Sequence, residues 1–260
     1  MENLPSQAII IGGGSSLKTG ISLGLKDLIK DRFVITTNFG FNFFDSSFTT
    51  FVDYDFYNGN IIPDSKGYFT IQDKSFVEKL KQLPLLIGSN EVSVIEKIKL
   101  IKYPNTILIK SNSSYSKDIK KGLFKCTLCG VFTLSLVQWL MDFSGEIYCC
   151  GYDWTVQQKE KLNKKYTSHY PDVETHFYSD KEMNHRGQHF VGYFQNHYPQ
   201  DLFKYFNEPN IKIYNVNPQS NIQSFEKITY EQMFKKLNNE TFNQDNLRQN
   251  IKEKINASLS

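Results

Sequence analysis

The chain has no long hydrophobic run. None of its stretches approaches the ~18 consecutive apolar residues that a membrane-spanning helix needs. The longest apolar segment, residues 131–143, is interrupted by Thr133, Ser135, Gln138 and Asp142. The apolar run near the start has four residues and no basic flank, so we expect no cleaved secretory signal. These absences predict a protein without a transmembrane segment, located in the cytoplasm.

Cysteine is scarce as well, with four in 260 residues. Cys126 and Cys129 form a C-x-x-C pair, a spacing that also occurs in metal and redox sites. Cys149 and Cys150 are adjacent inside an apolar run, which does not suit a four-ligand zinc site. We therefore expect buried or half-buried reduced thiols, consistent with the cytoplasm, and no bound metal.

An excess of one charge is also missing. The 30 Lys and Arg residues nearly balance 27 Asp and Glu, for a net charge of +3, which argues against an electrostatic nucleic-acid binder. The densest basic cluster, residues 117–125, holds four lysines and is typical of a solvated face. Apolar residues, by contrast, make up 40% of the chain, with 21 Phe and 15 Tyr, enough for the core of one large domain.

Residues 8–17 form the most informative segment, with the sequence Ala-Ile-Ile-Ile-Gly-Gly-Gly-Ser-Ser-Leu. Its apolar half predicts a short buried strand, and Gly12, Gly13 and Gly14 predict a tight turn. Ser15 and Ser16 follow, and would cap a helix from about Leu17 or Ile21 to Ile29. A strand, a glycine turn and a helix in this order hold phosphate with backbone N–H groups. The dinucleotide and Walker A patterns are both absent, so a turn formed for packing alone is the alternative.

Strand and helix signals alternate along the rest of the chain. Apolar runs predict strands over 33–37, 48–52, 84–87, 106–109, 146–151 and 211–216, and helical spacing covers 91–102, 130–143 and 190–205. This alternation predicts an α/β fold with a doubly wound, mostly parallel, Rossmann-like sheet. Ligands of such sheets bind beyond the carboxyl ends of the strands. The polar residues there are therefore site candidates: Gly12–Ser16, Asn38, Asp53, Ser89, Asn90, Gly151–Trp154 and Asn215–Ser220.

Residues 154–188 do not fit the alternation. They are polar and contain His169, His176, His185 and Arg186, with His189 just beyond. A segment of this length with weak secondary-structure signals is typical of a functional lid or a disordered loop. We predict a Rossmann-like nucleotide-binding domain over 1–225, including a lid at 154–188, and a peripheral C-terminal helical tail over 226–260 with a helix from 244 to 256.

Several motifs accompany the opening segment in order, namely Asn38 and Asp53 after two strands, Thr127–Gly130 leading a helix, Glu146–Asp153, Gly187–His189 and Tyr214–Ser220. Over most of residues 8–225 the set resembles two related groups. One is the bacterial CMP-sialic-acid-dependent sialyltransferases. The other is the flagellin-glycosyltransferase-like family that includes the archaeal 6-hydroxymethylpterin diphosphokinase. The resemblance implies a nucleotide-binding Rossmann-like fold and transferase activity.

The resemblance also implies roles for individual residues. The glycine turn and Ser15–Ser16 would hold the phosphates of the nucleotide, and Asn38, Asp53, Asp153 and Arg186 would line the donor site. Cys129 and Gly130 would lie beside the nucleotide or its leaving phosphate. His189 or His185 would be the general base, because the pKa of histidine lies near neutrality.

The chain departs from the resembled pattern at three positions. Gly14-Ser15 replaces a Pro, Thr155 stands where the sialyltransferases have a Tyr, and a strict alignment puts Gln188 at the base position. We therefore expect a glycosyltransferase that moves a sugar from a nucleotide-sugar donor to a hydroxyl of a glycan, a protein or a modified nucleic-acid base. It would require no cofactor, and it could form an oligomer.

Two alternatives stay open. One is a diphosphokinase that acts on a small hydroxymethyl compound. It would need Mg²⁺ together with Asp53, Asp55 or Asp153, and Asp53-Tyr54-Asp55 has the Asp-x-Asp spacing of a metal site. The other is a nucleotide-binding module that has lost catalysis.

Overall fold

The computed structural model describes residues 5–52, 60–63, 69–72, 74–89, 104–124, 129–153 and 203–260. The strands are β1 (Gln7–Ile11), β2 (Val34–Thr37), β3 (Phe48–Phe51), β4 (Asn60–Pro63), β5 (Phe69–Gln72), β6 (Leu86–Ser89), β7 (Thr106–Ile109), β8 (Ser111–Asn112), β9 (Leu123–Phe124), β10 (Gly145–Cys150), β11 (Ile211–Asn215) and β12 (Glu226–Lys227). The α-helices are α1 (Leu17–Ser22), α2 (Leu25–Leu28), α3 (Lys74–Gln82), α4 (Cys129–Leu140), α5 (Tyr230–Lys236) and α6 (Gln244–Leu259). Two 3₁₀ helices cover Asn38–Asn42 and Lys204–Phe206.

The main sheet has the strand order β12-β11-β10-β1-β2-β3-β6-β7, and all of its neighbouring pairs are parallel. The chain runs outward from β1 through β2 and β3, then returns to place β10 on the other side of β1. The predicted doubly wound, parallel α/β fold is therefore confirmed. The change of direction makes the β1–β10 boundary the topological switch point, where ligands of this fold class bind.

Alternate residues of the central strand point to opposite faces of the sheet. Ala8 and Ile10 belong to a core that includes the inner sides of α4 and α6, whereas Ile9 and Ile11 pack with residues of α1, α2 and α5. Both faces of β1 are therefore covered, which explains why its sequence is a continuous apolar run and not an alternating one. Among the described helices, none is long and apolar enough to cross a membrane.

The prediction of a single helix after the glycine turn is wrong. The chain forms the short helices α1 and α2, because Gly24 between them has a left-handed backbone with φ +88°. The helix expected over 130–143 is α4 and ends at Leu140, after which Asp142 and Phe143 both have positive φ. The helix expected over 91–102 and most of that expected over 190–205 lie outside the described residues.

The C-terminal segment packs closely against the sheet. Its first residues form β12, which pairs with β11, and α6 buries Leu247, Ile251 and Ile255 in the core that contains α4. Lys254 of α6 donates to the carbonyl of Leu140 at 3.0 Å, at the C-terminal end of α4. The helix itself was expected and extends three residues further than predicted, to Leu259. The domain boundary at residue 225 stays a prediction.

Candidate functional site at the switch point

The glycine turn after β1 lies directly against the turn after β10. The N–H of Gly12 donates to the carbonyl of Cys150 at 2.8 Å, and the N–H of Gly14 donates to the carbonyl of Gly151 at 2.9 Å. A Cβ added to Gly12 would lie 2.7 Å from the Gly151 oxygen. Gly151 has φ +71°, in the left-handed region that favours glycine. The close approach of the two backbones therefore requires glycine at these positions.

Asp153 joins the two turns through its side chain. Its Oδ2 accepts from the N–H of Ser16 at 2.7 Å, and its Oδ1 accepts from the Ser16 hydroxyl. The same Oδ1 accepts from Nδ2 of Asn217, which follows β11, at 2.9 Å. The residue is 4% exposed. One buried carboxylate thus connects the ends of β1, β10 and β11.

The loop after β11 is fixed by a second set of bonds. Nδ2 of Asn215 donates to the carbonyl of Tyr152 and to the Ser220 hydroxyl, both at 2.9 Å. The Ser220 hydroxyl in turn donates to the Tyr152 carbonyl at 2.8 Å. The backbone N–H of Asn221 reaches the carbonyl of Asp153 at 3.1 Å. The three strand ends at the switch point are therefore held rigidly relative to one another.

Two amides of the glycine turn remain available. The N–H groups of residues 12, 14 and 16 are bonded within the protein, whereas those of Gly13 and Ser15 have no hydrogen-bond partner among the described residues. Both residues are partly exposed. Backbone N–H groups that converge in a turn are suited to binding the oxygens of an anion. The turn therefore retains two free donors at the place where ligands of this fold bind.

Asn38 lies at the end of β2, the other neighbour of β1. Its backbone is left-handed, with φ +46°, and its Oδ1 atom is buried with no partner among the described residues. The adjacent Thr37 hydroxyl donates to the carbonyl of Ile11 at 3.1 Å, which ties this strand end to the glycine turn. The structure therefore brings Asn38 to the same edge as Gly12–Ser16, as expected for residues that follow parallel strands.

The start of α4 reaches the same edge from the other face of the sheet. Thr50 of β3 and Thr133 of α4 have their hydroxyls 2.6 Å apart, and Thr133 donates to the Cys129 carbonyl at 2.7 Å. Gly130 lies against the ring of Tyr152, whose hydroxyl donates to the Gly130 carbonyl at 2.9 Å. Cys129 and Gly130 are thus positioned by β3 and by the turn after β10.

The adjacent thiols of β10 are unsuited to nucleophilic chemistry. Burial raises the pKa of the Cys149 thiol well above its usual range, and burial together with the charge of Asp153 raises the pKa of the Cys150 thiol. Sγ of Cys150 lies 3.7 Å from Sδ of Met233. Cys129, Cys149 and Cys150 are buried, as the sequence predicted for them, and Cys126 lies outside the described residues.

The other predicted site residues also lie outside the described residues: Asp53, Asp55, Asn90, Trp154, Thr155, His185, Arg186, Gln188 and His189. The proposed lid at 154–188 belongs to the same set. Within the described part of the chain, no group of three or more His, Cys, Asp or Glu side chains is placed to hold a metal ion. The roles of these residues stay predictions.

The sequence did not reveal the contacts of two residues at this site. Asn217 was seen only as a polar residue after a strand, although it holds Asp153 directly. Tyr230, the first residue of α5, packs its ring against Gly20 of α1, where a Cβ would lie 2.7 Å from the tyrosine Cζ. Burial, with the nearby Cys150 and Asp153, raises the pKa of the Tyr230 phenol. Nothing in the sequence pattern singled out Tyr230.

Comparison with known proteins gives one informative likeness. No protein-family model matches the chain, and no curated protein matches it in sequence. The fold matches a solved structure, the MAf glycosyltransferase from Magnetospirillum magneticum AMB-1, with a TM-score of 0.53 and 12% identity over 99% of this chain. The chain spans 38% of the length of that protein. The likeness shows the fold alone, a Rossmann-type α/β fold.

Proposed function

We propose that this chain is a glycosyltransferase that takes a sugar from a nucleotide-sugar donor and whose glycine turn, residues 12–16, binds the donor phosphate. The observation that carries the proposal is the pair of amides, Gly13 and Ser15, that have no hydrogen-bond partner in the described part of the chain and lie in the turn at the topological switch point. The amides at 12, 14 and 16 are bonded inside the protein and hold the turn in place.

The fold supports the transferase part of the proposal. The MAf glycosyltransferase has the same arrangement over nearly the whole of this chain, although function differs widely among proteins that share a Rossmann-type fold. The position of the free amides adds an independent reason, because phosphates bind to backbone donors at the end of the first strand in this fold class. Fold and local geometry therefore point to the same kind of ligand.

The remaining roles rest on the resemblance described above. Asn38 and Asp53 would contact the donor, and Cys129–Gly130 would lie beside the leaving phosphate. Arg186 would pair with a phosphate or a carboxylate through its planar guanidinium group. His189 or His185 would take the proton of the acceptor hydroxyl. Backbone N–H groups stabilise a leaving phosphate without a metal, so the transfer would proceed without Mg²⁺.

A ligand screen tests this proposal. The melting temperature of the protein is measured with CMP, UDP, GDP, ADP, ATP and their sugar conjugates, each with and without Mg²⁺. A ligand at about 100 times its dissociation constant stabilises a protein by ~2.7 kcal/mol, which gives a clear shift. Gly14→Ala serves as a variant with a damaged turn. Gly24→Ala is its control for lowered stability, because its added Cβ meets no atom within 4 Å and only strains a left-handed backbone, φ +88°, outside the turn.

The outcomes separate the candidate functions. A metal-independent shift with a nucleotide of the sugar-donor type, lost in Gly14→Ala and kept in Gly24→Ala, supports the glycosyltransferase. A shift only with ATP and Mg²⁺ contradicts it in favour of the diphosphokinase. No shift with any compound contradicts phosphate binding by the glycine turn.

A further inference from the structure

The side chain of Asp153 acts only as a hydrogen-bond acceptor among the described residues. Its two oxygens accept three bonds, from the Ser16 N–H, the Ser16 hydroxyl and the Asn217 amide, and they form no ion pair within the described residues. A buried carboxylate costs free energy unless its lone pairs are satisfied, and an apolar residue would fill the space at lower cost. The carboxylate therefore has a role beyond filling space.

The side-chain amide of Asn217 has a fixed orientation, in which Nδ2 needs an acceptor at position 153. Its Oδ1 accepts from the backbone N–H of Gln219 at 2.9 Å, so its Nδ2 must face Asp153. Asn217 is 7% exposed, and its amide cannot turn over without losing the Gln219 bond. Position 153 therefore has to supply an acceptor to Asn217 and an acceptor to the Ser16 N–H at the same time.

Gly14 leaves room for the same carboxylate because it has no side chain. A Cβ on Gly14 would overlap the carboxylate of Asp153 and lie 2.7 Å from the carbonyl oxygen of Gly151. The turn therefore passes as close to Asp153 as a backbone can. Because Ser16 is held by both its N–H and its hydroxyl, the free amides on either side of Gly14 are fixed relative to the sheet.

We infer that Asp153 and Asn217 act together as positioning residues, which fix the glycine turn so that the Gly13 and Ser15 amides are preorganised for an anionic ligand. This inference rests on the proposed function, and it assigns the third strand end, after β11, to the nucleotide site. Donors that are held in place before the ligand arrives bind it without the cost of ordering the turn.

An exchange of the two side chains tests the pairing. Asp153→Asn puts an amide N–H₂ opposite either the Ser16 N–H or the Asn217 N–H₂, so two donors face each other. Adding Asn217→Asp removes that conflict, because the new carboxylate at position 217 accepts from the new amide at position 153 and still accepts from the Gln219 N–H. The double variant keeps the net charge of the wild type, and it keeps the number of hydrogen bonds because the Ser16 hydroxyl now accepts from the amide at position 153.

The first measurement is affinity for the nucleotide that stabilises the wild type best among CMP, UDP, GDP and ADP. We expect Asp153→Asn to bind at least about tenfold more weakly, the size of effect that a lost bond to a charged group produces. The double variant recovers most of that loss. Ile251→Ala, in a buried position of α6 away from the turn, is the control for lowered stability, and it keeps wild-type affinity well below its melting temperature.

The second measurement is hydrogen exchange, without ligand, of the Gly14 and Ser16 amides, whose bonds to the Gly151 carbonyl and to Asp153 hold the turn. We expect faster exchange in Asp153→Asn and near-wild-type exchange in the double variant. If the wild type binds a nucleotide and all variants bind it equally, the positioning role is overturned while the proposed function stands. If the wild type binds none of the four, the proposed function fails, and exchange alone decides whether the pair fixes the turn. Unchanged exchange in Asp153→Asn overturns the inference in either case.

Discussion

The N–H of Ser16 and Oδ2 of Asp153 lie 2.7 Å apart, across 137 positions of sequence. Ser16 follows the first strand and Asp153 follows β10, its neighbour in the sheet. A ligand phosphate would be the usual acceptor for the donors of such a turn, yet here a side chain of the protein takes one of them. Among the described residues this leaves the amides of Gly13 and Ser15 for the proposed phosphate, a narrower site than the glycine pattern alone predicts.

The close approach of Gly14 to Asp153 predicts that Gly14→Ala lowers the stability of the protein. The added methyl group would overlap the Asp153 carboxylate and the Gly151 carbonyl, both parts of the rigid strand ends. Overpacking of this kind costs ~1–3 kcal/mol. We expect a loss of that size in the free energy of unfolding, measured with urea, together with loss of nucleotide binding. Wild-type stability in Gly14→Ala would show that the two turns are further apart than described.

The hydroxyl pair Thr50–Thr133 predicts a measurable coupling between β3 and α4. Thr133→Val removes the donor to the Cys129 carbonyl and leaves the buried Thr50 hydroxyl with weaker partners. We expect the free energy of unfolding of this variant to fall by ~1–3 kcal/mol. The total loss in Thr50→Val/Thr133→Val should be smaller than the sum of the losses in the two single variants. A double-mutant cycle from urea unfolding measures the difference. Strictly additive losses would contradict a direct bond between the two hydroxyls.

If His189 or His185 is the general base, its removal should slow catalysis and leave nucleotide binding unchanged. His189→Ala and His185→Ala remove the two candidates for the general base, and the loss of such a group slows a reaction by roughly 10²–10⁴-fold. We expect one of the two variants to show this loss in kcat with an unchanged dissociation constant for the nucleotide. Titration calorimetry and a transfer assay with the donor found in the screen give the two quantities. Full activity in both variants would exclude a histidine base at these positions.

The local pattern of the sequence was sufficient for most of the fold. The apolar runs of β1 (Gln7–Ile11) and β10 (Gly145–Cys150) are strands at or near the expected positions, because strands that are covered on both faces have few polar residues. The break between α1 and α2 was missed, because the apolar spacing from Leu17 to Ile29 continues through Gly24. Only the left-handed backbone of Gly24 ends the first helix.

The location of the described candidate residues was predicted from the sequence, and their contacts were not. Gly12–Ser16, Asn38, Gly130 and Asp153 do gather at one edge of the sheet, as parallel strands require. The Asp153–Asn217 bond joins residues 64 positions apart, and nothing in the sequence around either residue specifies the other. Strand order decides that partnership, and alternation of strands and helices along the chain does not determine strand order.

The buried thiols of β10 predict a fall in stability at alkaline pH. Burial raises the pKa of Cys149 and Cys150 in the folded protein above the ordinary value of 9.0. Above pH 9 the unfolded chain therefore binds fewer protons at these groups than the folded protein, and the free energy of unfolding falls as pH rises. Each thiol contributes a slope that approaches about 1.4 kcal/mol per pH unit. Below pH 9 both states keep the thiols protonated, so the slope from these groups vanishes.

Buried tyrosines limit the pH range in which the effect of the two thiols on stability can be measured separately. Burial also raises the pKa of Tyr152 and Tyr230 above 10.0, so these phenols add the same dependence at higher pH. The free energy of unfolding is therefore measured with urea in steps from pH 8 to pH 10. Cys149→Ala/Cys150→Ala should be less stable at every pH, with a shallower decline between pH 9 and pH 10 than the wild type. Parallel declines would mean that the two thiols ionise as readily in the folded protein as in the unfolded chain, which contradicts their burial at the centre of the sheet.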